Sequence, residues 1–176
     1  MLSTNEIQVR EATLDDIPLI VDYWIKSSDQ HLVNMGVDLK KMPNKDDLTE
    51  ALTSAVSTKK SYALIWEFQN EAIGHTNANN IIVGDSAFMH IHLWNNHKRQ
   101  KGLGTEFIKK SLPLYFHNLQ LKTLYCEPYA FNDAPNKTLK RIGFKFEKTH
   151  TTIPGSINFE QEVNRWKITK EMLKNI

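Results

Sequence analysis

Apolar positions along the chain switch between two periods, and the switches outline the elements. Ile7–Arg10 reads as a short first strand. Ile17, Ile20, Val21 and Trp24 then recur at helical spacing behind Thr13-Leu14-Asp15-Asp16-Ile17-Pro18. Acids and a proline suit a helix start, where unpaired N–H groups favour carboxylates and proline's missing donor costs nothing. Ser27–Pro43 is irregular, interrupted by Asn34-Met35-Gly36 and Pro43. Leu48, Leu52, Ala55 and Val56 share one side of a second helix, from about Lys45 to Thr58. Three strands follow: Ser61–Phe68, Glu71–Val83 and Ala87–Trp94. Their links, Gln69-Asn70 and Gly84-Asp85, are too short for crossovers, which predicts an antiparallel meander.

The helical period returns over Gly102–His117, with Leu103, Phe107, Ile108, Leu112 and Tyr115 as its stripe. Pro113 is expected to kink this helix, because its ring lacks an N–H and clashes with the Lys109 carbonyl. Leu121–Cys126 reads as a short buried strand. Asp133–Ile142 is a helix with Pro135 in its first turn and Gly143 just past its end. Phe144–Thr152 and Phe159–Thr169 are strands around Pro154-Gly155, and a short tail helix closes the chain. The order β-α-α-β-β-β-α-β-α-β-β predicts an α/β layered domain, and with no linker the chain reads as one domain over residues 1–176.

Composition narrows the function classes. In 176 residues, 40% are hydrophobic and 24% charged, as in ordinary globular proteins. A net charge of +2 calls for neither nucleic acid nor an anionic membrane. Cys126 is the sole cysteine, so no intramolecular disulfide forms. Met1–Arg10 lacks the apolar core of a signal peptide, and no apolar run approaches the roughly 20 residues of a membrane span. A cytoplasmic location is the expectation.

The richest stretch is Asn95-Asn96-His97-Lys98-Arg99-Gln100-Lys101-Gly102-Leu103-Gly104-Thr105, which leaves a strand and enters a helix. A helix start offers N–H donors and partial positive charge to phosphate. Gly102 and Gly104 let an anion approach the backbone, Arg99 and Lys101 add charge, and Thr105 adds a hydroxyl. The stretch lacks the Gly-Lys-Ser/Thr ending of a P-loop. A dinucleotide fingerprint fails too, with Phe at position 107.

Arg99-x-x-Gly102-x-Gly104 resembles the R/Q-x-x-G-x-G/A motif of the GCN5-related N-acetyltransferase (GNAT) superfamily. Asn132–Phe144 (NDAPNKTLKRIGF) is similar to a later family segment, in which an Asn begins a helix ending in Gly-Phe. The element order fits over about residues 6–169. The resemblance implies a GNAT-like mixed, mostly antiparallel sheet flanked by helices. It also implies acetyl-CoA as acyl donor, with its pyrophosphate on residues Arg99, Gln100, Lys101, Gly102, Leu103, Gly104 and Thr105. The pantetheine arm is then expected along the backbone of Leu93, Trp94 and Asn95, which would also polarise the acyl carbonyl. Asn132 matches the Asn that contacts the cofactor, and Asn136 is a second candidate.

The implied reaction is direct attack of a neutral primary amine on the thioester, which needs a base. The family often places a carboxylate on the fourth strand, where this chain has Ser86 and Phe88. His90 and His92 are the candidates instead, with His92 nearer the loop. They lie two apart and share a strand face with Phe88 and Trp94. As metal ligands they lack further partners at a recognisable spacing, so no metal is expected. The Tyr that often protonates the departing thiolate is Leu139 here, leaving Tyr129 or water. A covalent route through Cys126 lacks a base partner.

Acceptor choice is expected in Ser28–Lys41, where Asp29, His31 and Asp38 are candidates to attract a cationic amine, and on the last strand, where Arg165 is a candidate clamp for an anion. The expected partner is a small-molecule or peptide amine, with no nucleic acid and no membrane; a homodimer is left open. The alternative function is a non-catalytic acyl-CoA-binding sensor module.

Overall fold

The computed structural model describes residues 6–94 and 102–176. The elements are β1 (Ile7–Glu11), α1 (Ile17–Lys26), α2 (Asp29–Asn34), α3 (Lys45–Ser57), β2 (Tyr62–Phe68), β3 (Glu71–Ile82), β4 (Ser86–Leu93), α4 (Leu103–Asn118), β5 (Thr123–Cys126), α5 (Asp133–Ile142), β6 (Lys145–Thr152) and β7 (Gln161–Thr169). A 3-10 turn, Met172–Asn175, stands where a tail helix was expected. The α/β fold is as read from sequence: seven strands, mostly antiparallel, in the order β1-β2-β3-β4-β5-β7-β6. Among the described residues, no helix is long and apolar enough to cross a membrane.

One local feature differs from the sequence reading. Within the stretch expected to be irregular, Asp29–Asn34 forms α2. Ser28 caps it by accepting from the His31 N–H at 3.3 Å, and Leu32 is its buried anchor. The helix α4 continues through Pro113 to Asn118, in line with the Gly102–His117 helix read from the sequence.

The two sheet faces have different characters. On one, Leu64, Trp66, Ala78, Ala87, Met89 and Leu124 pack against Leu103, Phe107, Ile108 and Leu112 of α4 and Leu139 of α5. Trp66 stacks on Phe107 at 5.1 Å and donates its indole N–H to Ser111 at 3.0 Å. Each such side chain contributes about 1.5–3 kcal/mol on burial. The other face carries His75, Asn77 and Asn79 of β3 opposite His92, His90 and Phe88 of β4. It lies beneath α1, which buries Ile17, Ile20, Val21 and Tyr23, and α3, which buries no residue completely.

β4 and β5 pair in parallel through Ser86–Thr123, Ala87–Leu124 and Phe88–Tyr125. No β5 partner continues along Met89–Leu93, so the strands part there. Parallel neighbours that diverge leave a gap into which backbone N–H and C=O groups project, and this gap positions the site.

Candidate active site

β4 aims two sets of groups at the gap. The Trp94 N–H donates to Ile73 of β3 at 2.9 Å. Strand alternation therefore directs the N–H groups of Leu93 and Ile91 away from β3, toward the opening. Expectation had grouped Trp94 with these donors. Its amide is spent in the sheet, and its indole folds back to donate to His75 Nδ1 at 2.8 Å and to stack on Tyr23. Ile91 is a group that sequence reasoning missed, because only the strand pairing tells which amides point outward.

The gap opens into a channel of about 270 Å³, bounded by Ile91, His92 and Leu93 of β4, Gly104 and Ile108 of α4, and Asn132 beside α5. Gly102 caps α4 at φ 72°, a left-handed conformation that favours glycine. Gly104 has an ordinary backbone, and a Cβ built there would meet nothing within 4 Å among the described residues. Space in front of a helix's first turn is what an anion seat requires. Leu103 is fully buried, so it offers that seat its backbone alone. The Thr105 N–H bonds back to Gly102 at 3.0 Å, and its side chain stands half-buried in the same turn. Asn95, Arg99, Gln100 and Lys101 lie outside the described residues.

Asn132 precedes α5 and lines the channel, with no capping bond from its side chain. Asn136 is turned inward. Its amide donates to the carbonyls of Asn132 at 2.8 Å and Tyr129 at 3.1 Å, and its oxygen accepts from Trp166 at 2.8 Å and Asn164 at 3.0 Å. Its hydrogen-bonding capacity is thus used in tying α5 to β7, and it holds the turn that presents Asn132.

His92 stands where the channel meets two other cavities. One, of about 100 Å³, lies between the parted strands and includes His90, Glu127, Tyr129 and Asn132. The other, of about 390 Å³, lies beneath α1 and α3 and includes His75, Asn77, Asn79 and His90. His92 stacks on His75 with ring centroids 4.6 Å apart, and Trp24 lies 5.0 Å away. Burial holds the His92 imidazole well below its usual pKa, and nearby His75, His90 and His31 add to the shift. Burial likewise pushes His75 down to about 3, with His90 contributing. Burial lowers His90 too, while Glu127 acts in the opposite direction. All three rings are therefore neutral at pH 7.

Tyr23 links this cluster to the other side of α1. Its hydroxyl lies 3.5 Å from His92 Nδ1, 3.0 Å from His31 Nε2 and 3.4 Å from Met35 Sδ. His31 is half-buried and borders a hollow of about 490 Å³ with Tyr23 and Trp94. The sequence offered no sign of Tyr23, which reads there as one more residue of an amphipathic helix.

Other candidates lie elsewhere. Asp38 caps the Lys40 N–H at 3.1 Å, and Asp29 is exposed on α2. Arg165 is held by Glu127 and lies over the Phe88 and Tyr125 rings. Cys126 is buried, which pushes its thiol up to about 12 and keeps it protonated. Leu139 is fully buried in the core. Among the described residues, no group of three or more His, Cys, Asp and Glu is arranged to hold a metal ion.

A family model described as an acetyltransferase (GNAT) domain matches residues 6–145. No curated protein matches the chain in sequence. Among solved structures, a spermidine N-acetyltransferase from Vibrio cholerae in complex with CoA and spermine superposes with TM-score 0.79 at 18% identity, covering 98% of this chain and 100% of its own. An aminoglycoside acetyltransferase in complex with coenzyme A gives 0.78 at 16%, covering 96% and 98%. A ribosomal L7/L12 alpha-N-protein acetyltransferase, also with coenzyme A, gives 0.77 at 14%, covering 98% of each chain. At such identities the likeness establishes the fold and leaves the acceptor open.

Proposed function

Because the chain belongs to the GNAT acetyltransferase family, we propose that it moves an acetyl group from acetyl-CoA to a primary amine by direct attack. One observation carries this reading: His92 stands where the channel along β4 meets the cavity beneath α1 and α3. Donor and acceptor entering by separate routes would meet at a neutral imidazole.

Acetyl-CoA supplies an activated carbonyl, which bonds the amine nitrogen as its C–S bond breaks. The first turn of α4 seats the pyrophosphate, with Gly104 leaving the space in front of it. Asn132 faces the arm, and the outward N–H groups of Ile91 and Leu93 direct their dipoles at the thioester oxygen, where charge develops. Once bonded to carbon, the amine nitrogen becomes acidic, and His92 takes its proton. The Tyr23 hydroxyl lies between His92 and the half-buried His31, and passes the proton outward. Tyr129, beside His90 and Glu127 in the gap, gives a proton to the departing thiolate and takes one back from solvent. Cys126, protonated and buried, has no part in the chemistry.

The test separates binding from chemistry. His92→Ala is expected to bind acetyl-CoA within about threefold of wild type, since His92 touches no phosphate seat. Its kcat with an accepted amine is expected to drop by about 10²–10⁴, the range for losing a general base. Tyr23→Phe should produce a smaller drop and a changed kcat–pH profile. Wild-type turnover with His92→Ala equally active would remove His92 from the mechanism. The second reading, a sensor that binds acyl-CoA without turnover, draws on Leu139, a fully buried side chain with no proton to give. Tight acetyl-CoA binding with no acetylation across a broad amine panel would select it.

A further inference from the structure

The cavity beneath α1 and α3 has a definite chemical character. Its walls come from Ile17, Ile20 and Trp24 of α1 and Leu48, Leu52 and Val56 of α3. The apolar stripe of α3 is only half-buried, and part of it faces this space. The floor is a polar patch of the sheet: His75, Asn77, Asn79, His90 and His92. Two floor atoms, Asn79 Oδ1 and His90 Nε2, are buried and have no hydrogen-bond partner among the described residues. Both residues line the cavity, and buried polar atoms are normally satisfied, so a small side-chain rotation that brings either atom to the cavity would let it meet a ligand donor. None of the residues lining the cavity, all of them described, is Asp, Glu, Lys or Arg.

From these observations we infer that the acceptor is a small primary amine on an uncharged, largely apolar body that carries one hydrogen-bond donor. The inference rests on the proposed acetyl transfer and adds the class of amine. The apolar walls of α1 and α3 cover the body. Its donor meets Asn79 Oδ1 after that rotation, and the amine end reaches His92. The cavity, about 390 Å³, lies toward the small end of ligand sites, which run from about 300 to 1,000 Å³. A polyamine or an aminoglycoside would bring several ammonium groups, and burying them here without a carboxylate is strongly unfavourable.

The experiment compares acceptors on the full chain with acetyl-CoA. Tryptamine is the probe, because its indole N–H supplies the donor; phenethylamine is the matched amine without one. Spermidine and kanamycin represent polycations. Wild type is expected to give tryptamine a kcat/KM at least about tenfold above either polycation. Asn79→Leu is expected to lower the tryptamine value about tenfold more than the phenethylamine value, the loss expected for one hydrogen bond. Phenethylamine turnover reports whether that variant is folded, and if it is not, the wild-type comparison decides. Preference for spermidine or kanamycin overturns the inference, as does an equal loss with both arylalkylamines or acetylation confined to peptide N-termini. Calorimetric titration with acetyl-CoA accompanies the screen. Absent binding there removes the acetyl-transfer reading itself, whereas intact binding with the wrong acceptor preference removes the inference alone.

Discussion

Gly104→Glu tests the phosphate seat most directly. Gly104 sits in the first turn of α4, and an added Cβ has no described atom within 4 Å. A Cβ there meets no steric conflict with the described residues, and the thermal melts separate lost binding from lost folding. A carboxylate about 5 Å from a unit negative charge costs roughly 0.8 kcal/mol in bulk water and about 3 kcal/mol at an effective dielectric near 20. Pyrophosphate carries two such charges, so the penalty is roughly 2–6 kcal/mol. The lower end alone raises Kd about thirtyfold. Gly104→Ala separates charge from bulk. It replaces glycine with the best helix former, raises stability by up to about 1 kcal/mol, and keeps Kd within about threefold. Gly102→Ala supplies the contrast. Its backbone is at φ 72°, so a Cβ adds strain of about 1–2 kcal/mol. The assay is calorimetric titration with acetyl-CoA at two salt concentrations, with thermal melts of each variant. The Glu penalty should shrink as salt rises. A folded Gly104→Glu protein with wild-type Kd would refute the placement of the phosphate seat.

Other outcomes follow from the same geometry. His75 has a folded pKa near 3 against an ordinary 6.5, so below pH 6.5 the unfolded chain binds a proton that the fold refuses. Stability is therefore present above that pH and lost as pH falls, by about 1.4 kcal/mol per unit for one such imidazole. Thermal melts at pH 7.5 and 5.0 should differ by roughly 4–8 °C. His75→Gln, which keeps an acceptor for Trp94, should shrink the difference, and a flat profile for wild type would contradict the burial argument. Asn136→Ala leaves two side-chain donors, Trp166 and Asn164, without their acceptor and takes one donor from each of the Asn132 and Tyr129 carbonyls, of which Tyr129 still accepts from the Asn132 N–H. It should lower stability by about 2–4 kcal/mol in denaturant melts and weaken acetyl-CoA binding through a misplaced Asn132.

The sequence by itself determined the element order. Helical and strand periods are local, so Ile17-Ile20-Val21-Trp24 and Leu103-Phe107-Ile108-Leu112 declare their helices without outside help. The short Gln69-Asn70 and Gly84-Asp85 links likewise forced the meander that the pairings display. Alternation along Ala87–Trp94 correctly put Phe88, His90 and His92 on one face. What alternation could not say is which face met the core, since both orientations satisfy the same period. Nor could it show that His75, 17 residues before His92 in the chain, lies directly opposite it. That is set by strand register, a non-local property.

The tertiary structure decided the site in the same way. Tyr23 joins His31 and His92 because α1 crosses the sheet at that point, and no spacing in the chain encodes the crossing. One wall of the cavity is held by contacts between segments more than a hundred residues apart. Gly36, at φ +82°, presents its carbonyl to the Asn158 and Gln161 amides at 2.9 Å each. Asn136, a second candidate for contacting the cofactor in the sequence reading, has its side chain saturated, because β7 delivers Trp166 and Asn164 to it. Local periodicity fixes what each segment becomes. Which polar atoms are satisfied, and which are left facing a cavity, depends on neighbours that only the packed sheet and its helices bring within hydrogen-bond reach.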